Sequence, residues 1–127
     1  MEMSVVLYPK IKLWLVNENN EAVLGEGLAK LLEAIEKCGS ISKASLSLNM
    51  SYRYALHRIS LAEKRLGFKI VERSRGGALG GFSELTSEGK ALLVKYKRIE
   101  KDLTKFLKSE KYQFKAKQTD CQESNSV

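Results

Sequence analysis

The stretch Gly39-Ser-Ile-Ser-Lys-Ala-Ser-Leu-Ser-Leu-Asn-Met-Ser-Tyr-Arg-Tyr54 decides the fold of this 127-residue chain. It contains two short amphipathic segments that are separated by the polar break Asn49-Met50. Ser40 or Ser42 can cap the first segment and Ser51 the second, because a serine hydroxyl accepts a hydrogen bond from a free backbone N–H. This layout predicts a helix-turn-helix, the motif whose second helix enters the DNA major groove.

The predicted second helix of the motif begins after Ser51 and ends at Gly67. At about 100° per residue, its apolar residues fall in one stripe, and the opposite side carries Arg53, His57, Ser60 and Lys64. A polar, cationic free face can bond base edges and phosphates, whereas an ordinary surface helix would only be solvated. The residues predicted to contact DNA are Ser42, Lys43, Ser51, Tyr52, Arg53, Tyr54, His57, Lys64, Arg73, Ser74 and Arg75.

Segments on both sides of the motif complete a winged helix-turn-helix. Residues 10–16 and 21–24 surround a polar turn and predict a β-hairpin. Apolar residues at helical spacing then predict a helix that ends near Cys38-Gly39. After the motif, residues 68–73 and 84–86 predict two strands joined by a glycine-rich basic loop, which is a wing. The same loop lacks the Gly-Lys-Ser/Thr and Gly-x-Gly-x-x-Gly patterns of nucleotide-binding loops.

A long helix is predicted from about residue 86 to residue 109. Its apolar seam is spaced 4, 3, 4 and 3 residues, which is typical of helices that pair with a second helix. The seam predicts homodimerisation, and the alternative is that it folds back on its own domain; its members are Leu92, Tyr96, Ile99, Leu103 and Phe106. Residues 110–127 are polar and aperiodic, which predicts a disordered tail. The predicted domain therefore spans residues 9–109.

The net charge of +7 is concentrated on the helix-turn-helix. Residues 40–75 hold eight basic and two acidic residues, whereas residues 1–39 hold four basic and six acidic residues. A basic patch that coincides with a candidate recognition helix favours a polyanionic partner, namely double-stranded DNA. The alternative is that the basic surface serves only for solubility.

Other classes of function find little support in the composition. The chain has one histidine, and its two cysteines, Cys38 and Cys121, lack the spacing of a metal site or a disulfide framework. No catalytic constellation, cofactor motif or small-molecule ligand site is evident, so we expect neither an enzyme nor a metalloprotein. No signal peptide or long apolar run is present, which predicts a cytoplasmic protein without a membrane partner.

Several segments together resemble the N-terminal DNA-binding domain of the molybdate-dependent regulator family, ModE, which is related to the LysR-type winged helices. The resemblance covers roughly residues 9–105 and rests on Lys12–Leu15, Gly25–Gly27, Leu31–Ile35, Gly39–Ala44, Met50–Ala55, Arg65–Gly67, Val71–Gly77 and Leu85–Gly89. It implies a dimeric winged helix-turn-helix on an inverted-repeat operator. It also implies dimerisation through the first hairpin region and the long helix.

Two departures from that family limit what the resemblance implies. The family senses molybdate through C-terminal β-rich domains that have no counterpart in these residues, so we expect no oxyanion sensing from them. Leu56-His57 stands where the family commonly has a tryptophan followed by an acidic residue. Because this exchange alters the charge that faces DNA, the family's operator sequence is not expected to apply.

The sequence thus predicts a mainly α fold with small β elements. The predicted function is that of a sequence-specific transcriptional regulator that binds DNA as a homodimer. The alternative is a protein-docking or architectural winged-helix protein that binds DNA only non-specifically. Strong salt dependence of DNA binding would separate regulation from protein docking. The sequence does not define the operator, the target genes, activation or repression, or an effector.

Overall fold

A computed structural model of the chain describes residues 2–74 and 81–117. These residues form two compact units, one from Lys12 to Glu100 and one from the two ends of the chain, before residue 12 and after residue 100. In the described part of the chain, no helix is both long enough and apolar enough to cross a membrane.

The unit from Lys12 to Glu100 begins with a short hairpin of strands β2 (Leu15–Val16) and β3 (Ala22–Leu24). The Asn17 side-chain oxygen accepts from the backbone N–H groups of Asn19 and Glu21, both at 3.0 Å, and this closes the turn. The hairpin was predicted, but its first strand is much shorter than residues 10–16.

Three helices follow at the predicted positions: α1 (Glu26–Cys38), α2 (Ile41–Ser47) and α3 (Tyr52–Leu66). Gly39 and Gly67 end α1 and α3 in left-handed backbone conformations, with φ of 76° and 86°, which glycine adopts without a steric penalty. Of the two candidate caps for α2, Ser40 is used, since its hydroxyl accepts from Lys43 N at 3.0 Å.

The wing consists of the antiparallel strands β4 (Val71–Ser74) and β5 (Phe82–Leu85). Strand β4 begins three residues later than predicted, and β5 begins two residues earlier than its predicted start at Glu84. Ser83 N donates to the carbonyl of Gly39 at 2.8 Å, which attaches the wing to the end of α1. The predicted basic loop between the strands lies in residues 75–80, outside the described part of the chain.

The hydrophobic core of this unit contains apolar residues from the hairpin, from all three helices of the first part of the chain, from the wing and from the start of α4. Leu24, Leu32 and Ile35 are fully buried, as are Ala44 of α2 and Ala55 of α3. Both buried alanines are small, which favours close packing of the helices that carry them. This winged-helix fold agrees with the predicted fold class.

The long helix α4 (Ser87–Lys108) ends within one residue of its predicted C-terminal end. The residues of its predicted apolar seam, however, are buried in the first part of the helix and exposed in the last part. Tyr96 is only 1% exposed, and its hydroxyl donates to Leu13 O at 3.2 Å. Leu92 is also partly buried against the core. The prediction that Tyr96 faces a second copy is therefore wrong, because the first part of α4 covers the core of its own unit. Leu103 and Phe106 remain exposed.

The two ends of the chain form an antiparallel ribbon of β1 (Glu2–Leu7) and β6 (Tyr112–Lys117). The disordered tail predicted for residues 110–127 is thus wrong for residues 112–117, while residues 118–127 lie outside the description. The polar composition of this segment predicts disorder, but pairing with the distant strand β1 satisfies its backbone hydrogen bonds.

Candidate nucleic-acid interface

The turn between α2 and α3 holds the two helices of the motif in a defined orientation. Asn49 takes a positive φ of 56°, a conformation that asparagine tolerates better than most residues. Met50 N donates to Ser45 O at 3.0 Å, and Ser51 then caps α3 by accepting from Tyr54 N at 3.0 Å. Met50 is partly buried against the core.

Helix α3 separates a buried face from an exposed cationic face. Ala55, Ile59 and Ala62 are at most 4% exposed. On the opposite side lies the exposed stripe of Arg53, His57, Ser60 and Lys64, which spans about 17 Å at 1.5 Å per residue. This is the face that the sequence predicted, and Arg53, His57 and Lys64 supply its basic side chains.

The single acidic residue of α3 is directed away from that stripe. The Glu63 carboxylate accepts from the backbone N–H groups of Ile70 and Val71 at 2.8 and 3.2 Å, at the start of the wing. This contact removes a negative charge from the exposed face of α3 and fixes the first wing strand relative to the helix. Glu63 is not among the residues predicted from the sequence, because its partners are backbone groups that no residue type reveals.

An open cleft of about 750 Å³ lies between the start of the helix-turn-helix and the wing. It brings together four of the predicted residues, Ser42, Tyr52, Arg73 and Ser74. It also contains Lys69, which is not among the residues predicted from the sequence although it lies just before the first wing strand. Among the residues that line the cleft, Glu72 is the acidic one, and Lys69 and Arg73 are basic.

The remaining predicted DNA-contacting residues lie outside the cleft. Lys43, Ser51, Arg53, Tyr54, His57 and Lys64 are exposed on α2, on α3 or at its cap. Arg75 lies outside the described residues. All ten described members of the predicted set are exposed, so each of them is accessible to a large ligand.

Within residues 2–74 and 81–117, no three histidine, cysteine, aspartate or glutamate side chains cluster closely enough to hold a metal ion. Cys38 ends α1 as a half-buried free thiol, and Cys121 lies outside the described residues.

Comparison with known proteins places this geometry in a family. A family model described as a bacterial regulatory helix-turn-helix protein of the lysR family matches residues 28–90. The molybdenum-pterin-binding protein MopB of Rhodobacter capsulatus is 34% identical over 94 residues, which cover 74% of this chain and 35% of MopB. The transcriptional regulator ModE of Haemophilus influenzae is 33% identical over 72 residues, which cover 57% of this chain and 28% of ModE.

The chain spans about a third of the length of these curated relatives. Among solved structures, the crystal structure of a CbnR DBD–DNA complex matches 62% of this chain and 85% of the CbnR chain, with a TM-score of 0.50 and 26% identity. The matched residues 28–90 contain most of α1, the helix-turn-helix, both wing strands and the start of α4. The chain therefore carries a winged helix-turn-helix domain of the lysR family of bacterial regulators, similar to the N-terminal region of ModE.

Proposed function

We propose that this chain is a sequence-specific DNA-binding transcriptional regulator that acts as a homodimer on an inverted-repeat site. The observation that carries the proposal is the exposed basic stripe of α3, which stands opposite a face that is packed into the core. A helix presented in this way can insert into the major groove without disturbing the fold. The similarity to a CbnR DBD that is in complex with DNA supports the same use of the motif.

Two groups of residues have different roles in this proposal. Arg53, Tyr54 and His57 contact base edges or the nearest phosphates, and Arg53 is suited to a bidentate bond to guanine. Lys43, Lys64, Lys69 and Arg73 contact phosphates and hold the register without reading sequence. Lys69 joins the second group because it shares the cleft with Arg73.

A homodimer would match the two-fold symmetry of the proposed inverted repeat. Leu103 and Phe106, which are 36% and 62% exposed, supply apolar surface for it.

The first experiment is selection of bound sequences from a random duplex library at about 150 mM salt, which suppresses non-specific binding. We expect an inverted repeat with half-sites about one helical turn apart. Enrichment of no sequence, with only salt-sensitive general binding, indicates an architectural protein. Absence of binding indicates a protein-docking winged helix.

Two variants then separate base reading from phosphate binding. Arg53→Ala is expected to cost about 1–3 kcal/mol and to relax selection at one position of the half-site. Arg73→Ala is expected to weaken binding to all sequences alike. It should also reduce, by about one unit, the steepness with which the logarithm of the DNA-binding constant falls with the logarithm of the salt concentration. Lys30→Ala is the matched control, since Lys30 is exposed on α1 and pairs with Glu26 at 3.0 Å. An unchanged preferred sequence in Arg53→Ala contradicts the assignment of α3 as the recognition helix.

A further inference from the structure

The ribbon of β1 and β6 sorts its side chains into an apolar face and a polar face. In an antiparallel pair, residues directly opposite each other lie on the same face, and successive residues alternate. Val5 lies opposite Phe114 and Met3 lies opposite Ala116, and Leu7 shares their face. The other face is largely polar and carries the pairs Glu2–Lys117, Ser4–Lys115 and Val6–Gln113.

The apolar face of the ribbon is open to solvent. Met3, Val5, Leu7 and Phe114 are between 41% and 54% exposed. An isolated two-stranded ribbon is only marginally stable in water, and three or more strands with a hydrophobic face are needed for independent stability. Among the described residues the sheet consists of these two strands, so they include none of the additional strands that would stabilise it.

The two edges of the ribbon differ in their protection against further strand pairing. Strand β6 carries Lys115 and Lys117, and edge lysines disfavour pairing with another chain. Residues Met3–Leu7 of β1 contain no charge, proline or glycine. In the described part of the chain, β1 pairs only with β6, so its second edge is free for an additional strand.

We propose that β1 pairs antiparallel with β1 of a second copy of this chain, across a two-fold axis at Val5. This register places Val5 opposite its own copy and Met3 opposite Leu7 of the other chain. The strand order becomes β6-β1-β1-β6, and the two apolar faces join into one because paired residues share a face. The inference rests on the homodimer of the proposed function and assigns it an interface.

A second copy fits this edge better than an unrelated segment for two reasons. The pairing is self-complementary, since one five-residue segment supplies both sides of an isologous interface. Two chains that each carry a net charge of +7 repel each other, and Met3–Leu7 allows contact without placing charges opposite each other. Leu103 and Phe106 belong to the same unit of the chain and provide further exposed apolar surface.

The test is disulfide trapping of the full-length chain in a Cys38→Ser, Cys121→Ser background. Val5→Cys places two thiols opposite each other across the axis, within the Cα separation of about 4.4–6.8 Å that a disulfide allows. We expect a covalent dimer on mild oxidation. Lys115→Cys is the control, because two such residues would be separated by three strand spacings of about 4.8 Å each and would not cross-link.

A second measurement gives the strength of the interface by sedimentation equilibrium. Val5→Lys places a charge on both sides of the axis and is expected to raise the dimer dissociation constant at least about tenfold. Val94→Lys is the matched control, because Val94 is 67% exposed on α4 and belongs to the other compact unit, and it should leave that constant unchanged.

The outcomes separate this interface from the proposed function. If the chain is dimeric but Val5→Cys does not cross-link and Val5→Lys dimerises normally, the β1 interface is refuted while the homodimer stands. A wild-type chain that stays monomeric refutes the interface as well. Sequence selection from the duplex library is a separate measurement on the wild-type chain. A protein that dimerises through β1 but selects no DNA sequence would therefore refute the proposed function and leave the β1 interface standing.

Discussion

Gly89 is a position where a single methyl group should destabilise the protein. It lies in the first turn of α4, where a Cβ atom would stand 2.2 Å from the carbonyl oxygen of Ile70. Ordinary contact begins at 3.4 Å, so Gly89→Ala requires a shift of 3.4 − 2.2 = 1.2 Å. The obstacle is backbone, which cannot rotate away as a side chain can.

The cost follows from what holds that backbone. Ile70 O accepts from Thr86 N at 2.9 Å, and the Thr86 hydroxyl donates to Lys69 O at 2.8 Å and accepts from Gly89 N at 2.9 Å. Overpacking costs about 1–3 kcal/mol, and each weakened hydrogen bond adds about 0.5–1.5 kcal/mol. The higher helix propensity of alanine offsets this cost by at most about 1 kcal/mol. We therefore expect a net loss of about 2–3 kcal/mol.

The measurement is the free energy of unfolding from denaturant titration, together with the melting temperature. A loss of about 2–3 kcal/mol corresponds to a fall of about 10–20 °C for a domain of this size. Gly27→Ala is the matched control in α1, where a Cβ would meet nothing within 4 Å, and it should stabilise the protein by up to about 1 kcal/mol. If Gly89→Ala unfolds within about 0.5 kcal/mol of wild type, the close packing of the first turn of α4 against the Ile70 backbone is refuted.

Three further predictions follow from other contacts. Glu63→Ala should cost about 1–3 kcal/mol because two backbone N–H groups lose their acceptor, whereas Glu63→Gln keeps an acceptor oxygen and should unfold closer to wild type in the same titration. Ser51→Ala should lower the free energy of unfolding by about 0.5–2 kcal/mol through loss of the α3 cap, and Ser51→Asn, which can still cap, should restore most of it; equal stability of all three proteins would contradict the capping role. The third prediction concerns alkaline pH: burial, followed by Glu100 and Glu26, raises the pKa of Tyr96 above its ordinary 10.0, and the hydrogen bond to Glu33 raises the pKa of Lys97 above 10.5. Each of these two groups holds its proton more tightly in the folded protein than in the unfolded chain. The free energy of unfolding should therefore fall as the pH rises above about 10, where the unfolded chain begins to lose these protons and the folded protein still holds them. Tyr96→Phe should make that fall shallower, and a Tyr96→Phe curve parallel to wild type would show that Tyr96 does not contribute.

The helix-turn-helix was predictable because its signals are local. The capping serines, the glycines at two helix ends and the 3.6-residue spacing each act within a few residues of the helix that they define. The exposed face of α3 followed from the same spacing, and all ten described members of the predicted DNA-contacting set are indeed exposed. Their contact with DNA remains a prediction.

Other features depended on distant partners. Glu63 was not recognised because its partners are backbone N–H groups of the following strand, which no residue type reveals. Lys69 was added to the candidate phosphate-binding residues only because it lines the same cleft as Arg73. Tyr96 fitted the spacing of a dimerisation seam, yet its hydroxyl reaches Leu13, 83 residues earlier in the chain.

The sequence by itself determined the order of the helices, the helix-turn-helix, the existence of the wing and the cationic face of α3. Periodicity, capping and charge are properties of short segments, so they can be recognised from the sequence. Tertiary structure alone decided that residues 2–7 pair with residues 112–117, that the first part of α4 covers its own core, and that Glu63 links α3 to the wing. These contacts join residues whose separation along the chain carries no local signal, and only the packed fold brings them together.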